Sequence, residues 1–288
     1  MPAFEKLSRD VFYIKIPFGP VFTGCTLING DEKILIDSGA SAQDVDEILL
    51  PALEDKGIKP GDLTLLCTHT HGDHVGGHAR LREMGVGRIL CCEASAPKLK
   101  DPLPYAVATR SRFPDYSPKT GAGMKPVTPD GVLKDGEMVA GRLKMICSPG
   151  HDNDCVCFLD EQTGLLITGD SLQANGTICQ GIGFYKSLPD YRATLEKMSA
   201  LPVKAILCGH DYDGIGWYIE GENAVAEAFG YCKKRIEVYG SFIASHSDED
   251  PAVIAEKLIK SVGCGMPPHL FMALYTVTEH LKEVSNHG

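Results

Sequence analysis

The sequence has 288 residues, 43% of them hydrophobic and 23% charged, with a formal net charge of -10 at pH 7. This acidic balance argues against a nucleic-acid partner, since binding the phosphate backbone requires clustered lysine and arginine. No apolar run reaches membrane-spanning length, and the first residues, MPAFEKLSRD, are charged where a signal peptide is apolar. We therefore expect a cytoplasmic protein with no membrane partner, whose 11 cysteines stay reduced.

The first third of the chain alternates between strand and helix patterns. Apolar and alternating runs predict five strands, at 10–16, 21–29, 32–37, 63–69 and 88–92. Helical patterns cover 42–56, where Pro51 interrupts the pattern, and about 75–84.

Residues 93–130 differ from the rest of the chain. They hold seven of its 18 prolines and show no clear periodicity. A long irregular segment within a compact domain is typical of a lid or a mobile loop. We therefore predict a lid insertion at 93–130.

The remaining chain divides into a strand-rich part and a helical part. Strand patterns recur at LKMICS, CVCFLD, LLITGD and VKAILCGH, with a helix near 189–200. After Trp217 only helices are predicted, at about 219–244, 251–262 and 268–284. The predicted organisation is a catalytic domain at 1–216 and a helical C-terminal extension at 217–288.

The stretch CTHTHGDHVGG follows the strand pattern that begins at residue 63. In extended chain His69 and His71 point to the same side, so they can hold one metal ion together. Asp73 and His74 can turn toward a second position beside it. Imidazole and carboxylate are the ligand types that zinc and neighbouring divalent metals prefer, so the cluster predicts a metal site.

A pair of metals needs further ligands, and these should also lie at strand ends if they are to converge on one sheet edge. Three side chains meet that requirement. His151 follows LKMICSPG, Asp170 ends LLITGD, and His210 ends AILCGH.

This ordered set of motifs resembles the metallo-β-lactamase superfamily of dinuclear metal hydrolases, over about residues 10–215. The IDSGA motif at 36–40 also matches the early aspartate corner of that family. The resemblance implies an α/β fold, a four-layer αββα sandwich, here with a helical C-terminal extension. It further implies that His69, His71 and His151 bind one metal, that Asp73, His74 and His210 bind the other, and that Asp170 bridges the two.

Details of the motifs indicate the branch of the family. Asp170 stands where many true β-lactamases carry a cysteine, which is similar to the glyoxalase II, lactonase and thioesterase branch. The helical tail departs from the glutathione-binding domain of glyoxalase II, which argues against hydroxyacylglutathione as the substrate. Asp37 is expected to hydrogen-bond the metal loops, or to be a strand-end turn residue. His78 is expected to be a bystander.

The predicted reaction is cleavage of a small-molecule ester, lactone or thioester by a metal-bound hydroxide, with Asp73 as the catalytic residue. The cofactor is expected to be two divalent ions, Zn²⁺ with Fe or Mn as alternatives. A phenol from Tyr185, Tyr191 or Tyr212 is a candidate to contact the substrate. Two other activities stay open: a mononuclear iron persulfide dioxygenase, and a phosphodiesterase or ribonuclease of the same fold. Beyond the small-molecule substrate, the partner considered is a second copy in a homodimer.

Overall fold

The structure is a computed structural model, and it describes residues 2–119 and 123–287. Within these residues the chain forms two compact units. The first comprises residues 2–109 and 123–147, and the second comprises 110–119 and 148–287.

The first unit is built on a seven-stranded sheet whose strands lie side by side in chain order. The strands from the first to the fourth pair antiparallel, and those from the fourth to the seventh pair parallel. The bounds are β1 Glu5–Lys6, β2 Val11–Phe18, β3 Val21–Asn29, β4 Lys33–Ile36, β5 Leu63–Leu66, β6 Arg88–Cys92 and β7 Gly131–Leu133. A further antiparallel pair consists of β8 Met138–Val139 and β9 Leu143–Cys147.

Short helices connect the parallel strands of this sheet. They are α1 Ala42–Asp44, α2 Leu50–Glu54, α3 Gly72–Val75, α4 His78–Glu83, α5 Ser95–Lys100 and α6 Pro102–Ser111. The predicted helix at 42–56 is thus divided, because a π-helical turn at Val45–Leu49 joins α1 to α2. This turn ends two residues before Pro51, which has no N–H to donate to a helical hydrogen bond.

Residues 120–122 of the predicted lid lie outside the described residues. The described parts, 93–119 and 123–130, are not irregular throughout, because they contain α5, α6 and a 3-10 turn at Pro114–Tyr116. Two properties explain why apolar periodicity does not predict α6. Pro102 and Pro104 stand in its first turn, where proline is tolerated, and Leu103 and Val107 are exposed. Its apolar residues therefore do not mark a buried face. Closure of this segment as a lid stays a prediction.

The second unit contains four strands in the spatial order β13-β12-β11-β10. Their bounds are β10 Val156–Asp160, β11 Leu165–Gly169, β12 Ala205–Tyr212 and β13 Gly216–Glu220. Strands β10 and β11 are antiparallel, β11 and β12 are parallel, and β12 and β13 are antiparallel. Four helices complete the unit: α7 Leu188–Ser199, α8 Glu222–Ala244, α9 Pro251–Ser261 and α10 Phe271–His287.

The prediction that no strand follows Trp217 is wrong, because β13 runs from Gly216 to Glu220 and pairs with β12. Its five residues, GWYIE, are mostly only partly buried, so the apolar alternation that identifies a strand is weak. The predicted boundary at residue 216 therefore falls inside the β12–β13 hairpin. Among the residues that the structure describes, no helix combines the length and the apolarity required to cross a bilayer.

Candidate functional site

Four predicted ligands, His69, His71, Asp73 and His74, lie in the first unit just after β5. The ring centroids of His69 and His71 are 4.5 Å apart, and those of His69 and His74 are 4.2 Å apart. Ligand atoms of His69 and His71 lie within 4.8 Å of one another, as do those of Asp73 and His74. The short α3 helix, which begins at Gly72, turns the last two toward the first two. The structure therefore gathers these four side chains into one cluster.

A buried carboxylate orients this cluster. Asp37 Oδ2 lies 2.8 Å from His74 Nδ1. The same carboxylate accepts from the backbone N–H and the hydroxyl of Thr68, each at 2.8 Å. The Thr68 hydroxyl in turn lies 3.2 Å from His69 Nδ1. A carboxylate or hydroxyl on Nδ1 fixes the ring so that Nε2 is the ligand atom, which is the usual arrangement around a metal-bound histidine.

Asp73 is more accessible than the buried His69 and His74. Its side chain is 17% exposed, whereas His74 is fully buried. Thr23 Oγ1 donates to Asp73 Oδ2 at 3.4 Å, and His74 Nε2 lies 3.7 Å from the same oxygen. Asp73 is thus oriented by its surroundings and is still partly open to solvent.

His78 has a structural role beside the cluster of His69, His71, Asp73 and His74. Its ring is fully buried, and Nδ1 lies 2.7 Å from the hydroxyl of Ser38. Burial, with a smaller contribution from His74, lowers the pKa of His78 to about 3, so the ring stays neutral near pH 7. The backbone N–H of Ser38 donates to the carbonyl of His74 at 2.8 Å. His78 therefore helps to hold the loop that carries Asp37.

The paired glycines after the histidine cluster allow the loop that carries Asp37 to lie close to the cluster. A Cβ on Gly76 would stand 2.0 Å from the carbonyl oxygen of Ala40. A Cβ on Gly77 would stand 2.4 Å from the carbonyl oxygen of Ser38. The two glycines are therefore a packing requirement of the motif.

The other three predicted ligands, His151, Asp170 and His210, lie in the second unit. Asp170 follows the last residue of β11, His210 lies in β12, and His151 precedes β10. His151 Nε2 and His210 Nε2 lie 3.5 Å and 3.4 Å from the same oxygen, Oδ2 of Asp170. All three side chains are buried. The structure therefore brings together three predicted ligands that are far apart in the chain.

Neighbouring groups also orient His151. Its Nδ1 lies 2.8 Å from the carbonyl oxygen of Phe184, and the two rings meet edge to face at 4.8 Å. The next residue, Asp152, forms an ion pair with Lys186. Neither Phe184 nor Lys186 belongs to a motif, and Phe184 is 33 residues away from His151. Sequence reasoning therefore has no signal for them.

The three candidate tyrosines are buried, each less than 2% exposed. Tyr185 and Tyr191 stack at a ring distance of 4.7 Å. The hydroxyl of Tyr185 lies 2.6 Å from His280 Nε2, and that of Tyr191 accepts from the backbone N–H of Gln173. Tyr212 also accepts from Gln173, at 3.3 Å. These are contacts of packed core side chains, and substrate contact by any of the three stays a prediction.

The donor chemistry of both clusters fits divalent metal ions. The donors are imidazole nitrogens and carboxylate oxygens, the combination typical of zinc, iron and manganese sites in proteins. On His69, His74 and His151, a hydroxyl, carboxylate or carbonyl lies within hydrogen-bonding distance of Nδ1, which directs Nε2 toward the ligand position.

The chain is similar in sequence to several curated enzymes. A hydroxyacylglutathione hydrolase of Cereibacter sphaeroides is 33% identical over 150 residues, which are 51% of this chain and 48% of that protein. An atrochrysone carboxyl ACP thioesterase of Pseudocercospora fijiensis is 26% identical over 208 residues, 69% of this chain and 51% of that protein. The chain thus spans about half the length of these two relatives.

Solved structures share the fold. A metallo-beta-lactamase family protein of Thermus thermophilus has a TM-score of 0.78 at 21% identity, covering 98% of this chain and 95% of that chain. The subclass B3 metallo-beta-lactamase BJP-1 of Bradyrhizobium japonicum has a TM-score of 0.59 at 19% identity, covering 85% and 95%. The predicted α/β sandwich, two sheets flanked by helices with additional C-terminal helices, is confirmed.

The family model of the metallo-beta-lactamase superfamily matches residues 18–210. This range is about two thirds of the chain, and it contains all seven predicted ligands. Members of this superfamily bind divalent metals, and most of them are hydrolases. Because the family model matches more than half of its length, the chain belongs to the metallo-beta-lactamase superfamily.

Proposed function

We propose that this protein is a dinuclear metal-dependent hydrolase of a small ester, lactone or thioester. The observation that carries the proposal is the approach of His151 Nε2 and His210 Nε2 to one oxygen of Asp170, at 3.5 Å and 3.4 Å. If both histidines were protonated, two buried positive charges would face one carboxylate, which is an expensive arrangement. A neutral His151, whose Nδ1–H donates to the Phe184 carbonyl, would instead present its Nε2 lone pair to the carboxylate oxygen, and a shared metal ion would remove this repulsion between two acceptors.

We assign the ligands as the family resemblance implies. One metal would be held by His69, His71 and His151, and the other by Asp73, His74 and His210. Asp170 would be available as a ligand to both. The mixture of nitrogen and oxygen donors favours Zn²⁺, with iron and manganese as the alternatives that metal analysis distinguishes.

The residues around the cluster support a role in moving a proton. When bound, two divalent ions supply a more acidic water and a polarised acyl carbonyl. Asp73, held by the Thr23 hydroxyl at Oδ2 and partly exposed, would accept a proton from the attacking water at its carboxylate. It would then pass this proton to the departing thiolate or alkoxide. Asp37 and Thr68 would keep His74 and His69 in the required orientation.

Thioesters are the substrate class that we favour among the three. Support comes from the relatives, which include hydroxyacylglutathione hydrolases and an acyl carrier protein thioesterase. Both activities cleave a thioester bond, and a thiolate is a better leaving group than an alkoxide. Direct contact of substrate with Tyr185, Tyr191 or Tyr212 is not required by this proposal.

The proposal is tested by metal analysis followed by a substrate panel. The protein is purified anaerobically, its metals are counted, and acyl thioesters, lactones, aryl esters and β-lactams are assayed with and without chelator. Two metals per chain, together with thioester or lactone turnover that chelation abolishes and metal restores, are expected. One iron per chain with consumption of persulfide, or cleavage of RNA in place of the acyl substrates, would overturn the proposal.

A further inference from the structure

Gln173 is a fully buried side chain three residues after Asp170. Its Nε2 donates to the carbonyl oxygen of Asp170 at 2.7 Å and to the hydroxyl of Tyr212 at 3.3 Å. Its Oε1 accepts from the backbone N–H of Phe184 at 2.9 Å. Both amide hydrogens and the amide oxygen are therefore used, and each bond reaches a different segment of the chain.

Each of these three segments carries or contacts a proposed metal ligand. The first is Asp170 itself. The second is Phe184, whose carbonyl oxygen lies 2.8 Å from His151 Nδ1 and whose ring contacts the same imidazole. The third is Tyr212, two residues after His210 on β12, with the two rings 6.0 Å apart.

A glutamine suits this position because its planar amide offers two donors and an acceptor at fixed angles. An apolar side chain of similar size would leave the Asp170 carbonyl and the Phe184 N–H without this partner in a site that is 0% exposed. Glutamate would keep an acceptor for Phe184 N–H, but it would place a second oxygen against the Asp170 carbonyl.

We infer that Gln173 is a positioning residue that fixes Asp170, His151 and His210 relative to one another. The inference rests on the proposed function, since it treats these three side chains as metal ligands. Gln173 itself is not one of the proposed ligands. Its effect is to hold three backbone segments in register, so that the ligand atoms meet at the Oδ2 of Asp170.

Gln180 provides a matched control from the same loop. It is also buried, 5% exposed, and its Oε1 accepts from the backbone N–H of Thr177 at 2.8 Å. This bond closes a local turn and does not reach a segment that carries a ligand. Replacing Gln180 therefore removes a buried glutamine and its hydrogen bond without disturbing the arrangement around Asp170.

The test measures zinc affinity and the visible spectrum of the cobalt-substituted protein for wild type, Gln173→Met, Gln173→Glu and Gln180→Met. Metal-free protein is titrated with zinc against a chromophoric chelator, at a temperature where circular dichroism shows every variant folded. Gln173→Met is expected to weaken zinc binding 10- to 100-fold and to change the cobalt spectrum. Gln173→Glu, which keeps the acceptor for Phe184 N–H but loses the donor to the Asp170 carbonyl, is expected to have an effect of the same kind, and it carries the test if the methionine variant does not fold. Gln180→Met should match wild type in both measurements, even where it unfolds more easily.

Three results would overturn the inference, and they are distinguishable from one another. Wild-type affinity and an unchanged cobalt spectrum in both Gln173 variants would show that Gln173 only stabilises the fold, while the proposed function would stand. Failure of wild-type protein to bind zinc or cobalt would remove the proposed function together with the inference. Equal weakening in Gln180→Met would also overturn it, because the effect would then not be specific to Gln173.

Discussion

Asp37 Oδ2 lies 2.8 Å from Nδ1 of His74, and both side chains are buried. Asp37 adopts a positive φ of 65°, a conformation that is uncommon for residues other than glycine. Its carboxylate also accepts from the N–H and the hydroxyl of Thr68. These bonds offset the conformational cost, and they fix the imidazole of His74 before any ligand arrives.

Replacing Asp37 with asparagine should weaken metal binding. The amide keeps the size of the carboxylate but loses its charge and one acceptor, so it cannot serve both His74 and Thr68 as the carboxylate does. We expect zinc affinity to fall 10- to 100-fold. Titration of the metal-free variant measures this change. Asp46→Asn is the control, since that exposed carboxylate pairs only with Arg80 on the described surface, and it should bind zinc as wild type does. Equal affinities in the two variants would contradict the role assigned to Asp37.

Replacing Asp73 with asparagine should remove most of the turnover. Asparagine cannot accept and return a proton, and loss of a positioned acid–base group typically costs about 10²- to 10⁴-fold in rate. Thr23→Val, which removes only the hydroxyl near Asp73 Oδ2, should have a much smaller effect because that bond is long, at 3.4 Å. Steady-state kinetics on a thioester substrate would decide. Turnover of Asp73→Asn close to that of wild type would exclude this aspartate as the proton carrier.

The sequence predicts the part of the site that is local in the chain. His69, His71, Asp73 and His74 occupy six consecutive positions, so strand periodicity and a flexible turn suffice to bring them together. Asp170 and His210 are also identifiable, because each follows an apolar run that forms a buried strand.

The contacts that orient these proposed ligands cannot be predicted from the sequence, because they depend on tertiary packing. Gln173 meets Phe184 and Tyr212, which lie 11 and 39 residues further along the chain and belong to no motif. The strand β13 is missed for a related reason. It is a short edge strand that is mostly only partly buried, and pairing with β12 defines it more than its own pattern does.

Replacing Gly150 with alanine should strongly destabilise the protein. Gly150 has a φ of 144°, and a Cβ there would stand 2.6 Å from the backbone Cα of Tyr191. Conformational strain and the clash together should cost about 2–5 kcal/mol in free energy of unfolding.

Gly263→Ala separates these two contributions. Gly263 also has a positive φ, 77°, but an added Cβ would meet no heavy atom within 4 Å in the described structure. Gly263→Ala should therefore lower the free energy of unfolding by only about 1 kcal/mol, which is the contribution of conformational strain alone. Denaturant unfolding monitored by circular dichroism measures both variants. Similar losses in the two would show that the approach of Gly150 to Tyr191 is not tight.

A buried histidine in the second unit makes stability depend on pH. His280 is 1% exposed, and its Nε2 lies 2.6 Å from the hydroxyl of Tyr185. Burial is the main cause that lowers its pKa from 6.5 to about 4; Glu283 acts in the opposite direction, and Arg192 adds slightly to the lowering. The imidazole is therefore neutral in the folded protein at pH values where the unfolded chain has already taken up a proton.

Because the folded pKa is the lower one, the unfolded state binds more protons between pH 6.5 and pH 4. The stability that His280 provides is complete above pH 6.5 and is lost as the pH falls through this range, by about 3 kcal/mol at most. In His280→Gln, whose amide can still bond Tyr185, the free energy of unfolding should fall less steeply between these pH values. The control is His269→Gln, at an exposed position, which should retain the wild-type slope. Denaturant titrations at four or five pH values give the slope of the free energy of unfolding against pH. Identical slopes in His280→Gln and wild type would show that His280 is protonated in the folded protein as readily as in the unfolded chain.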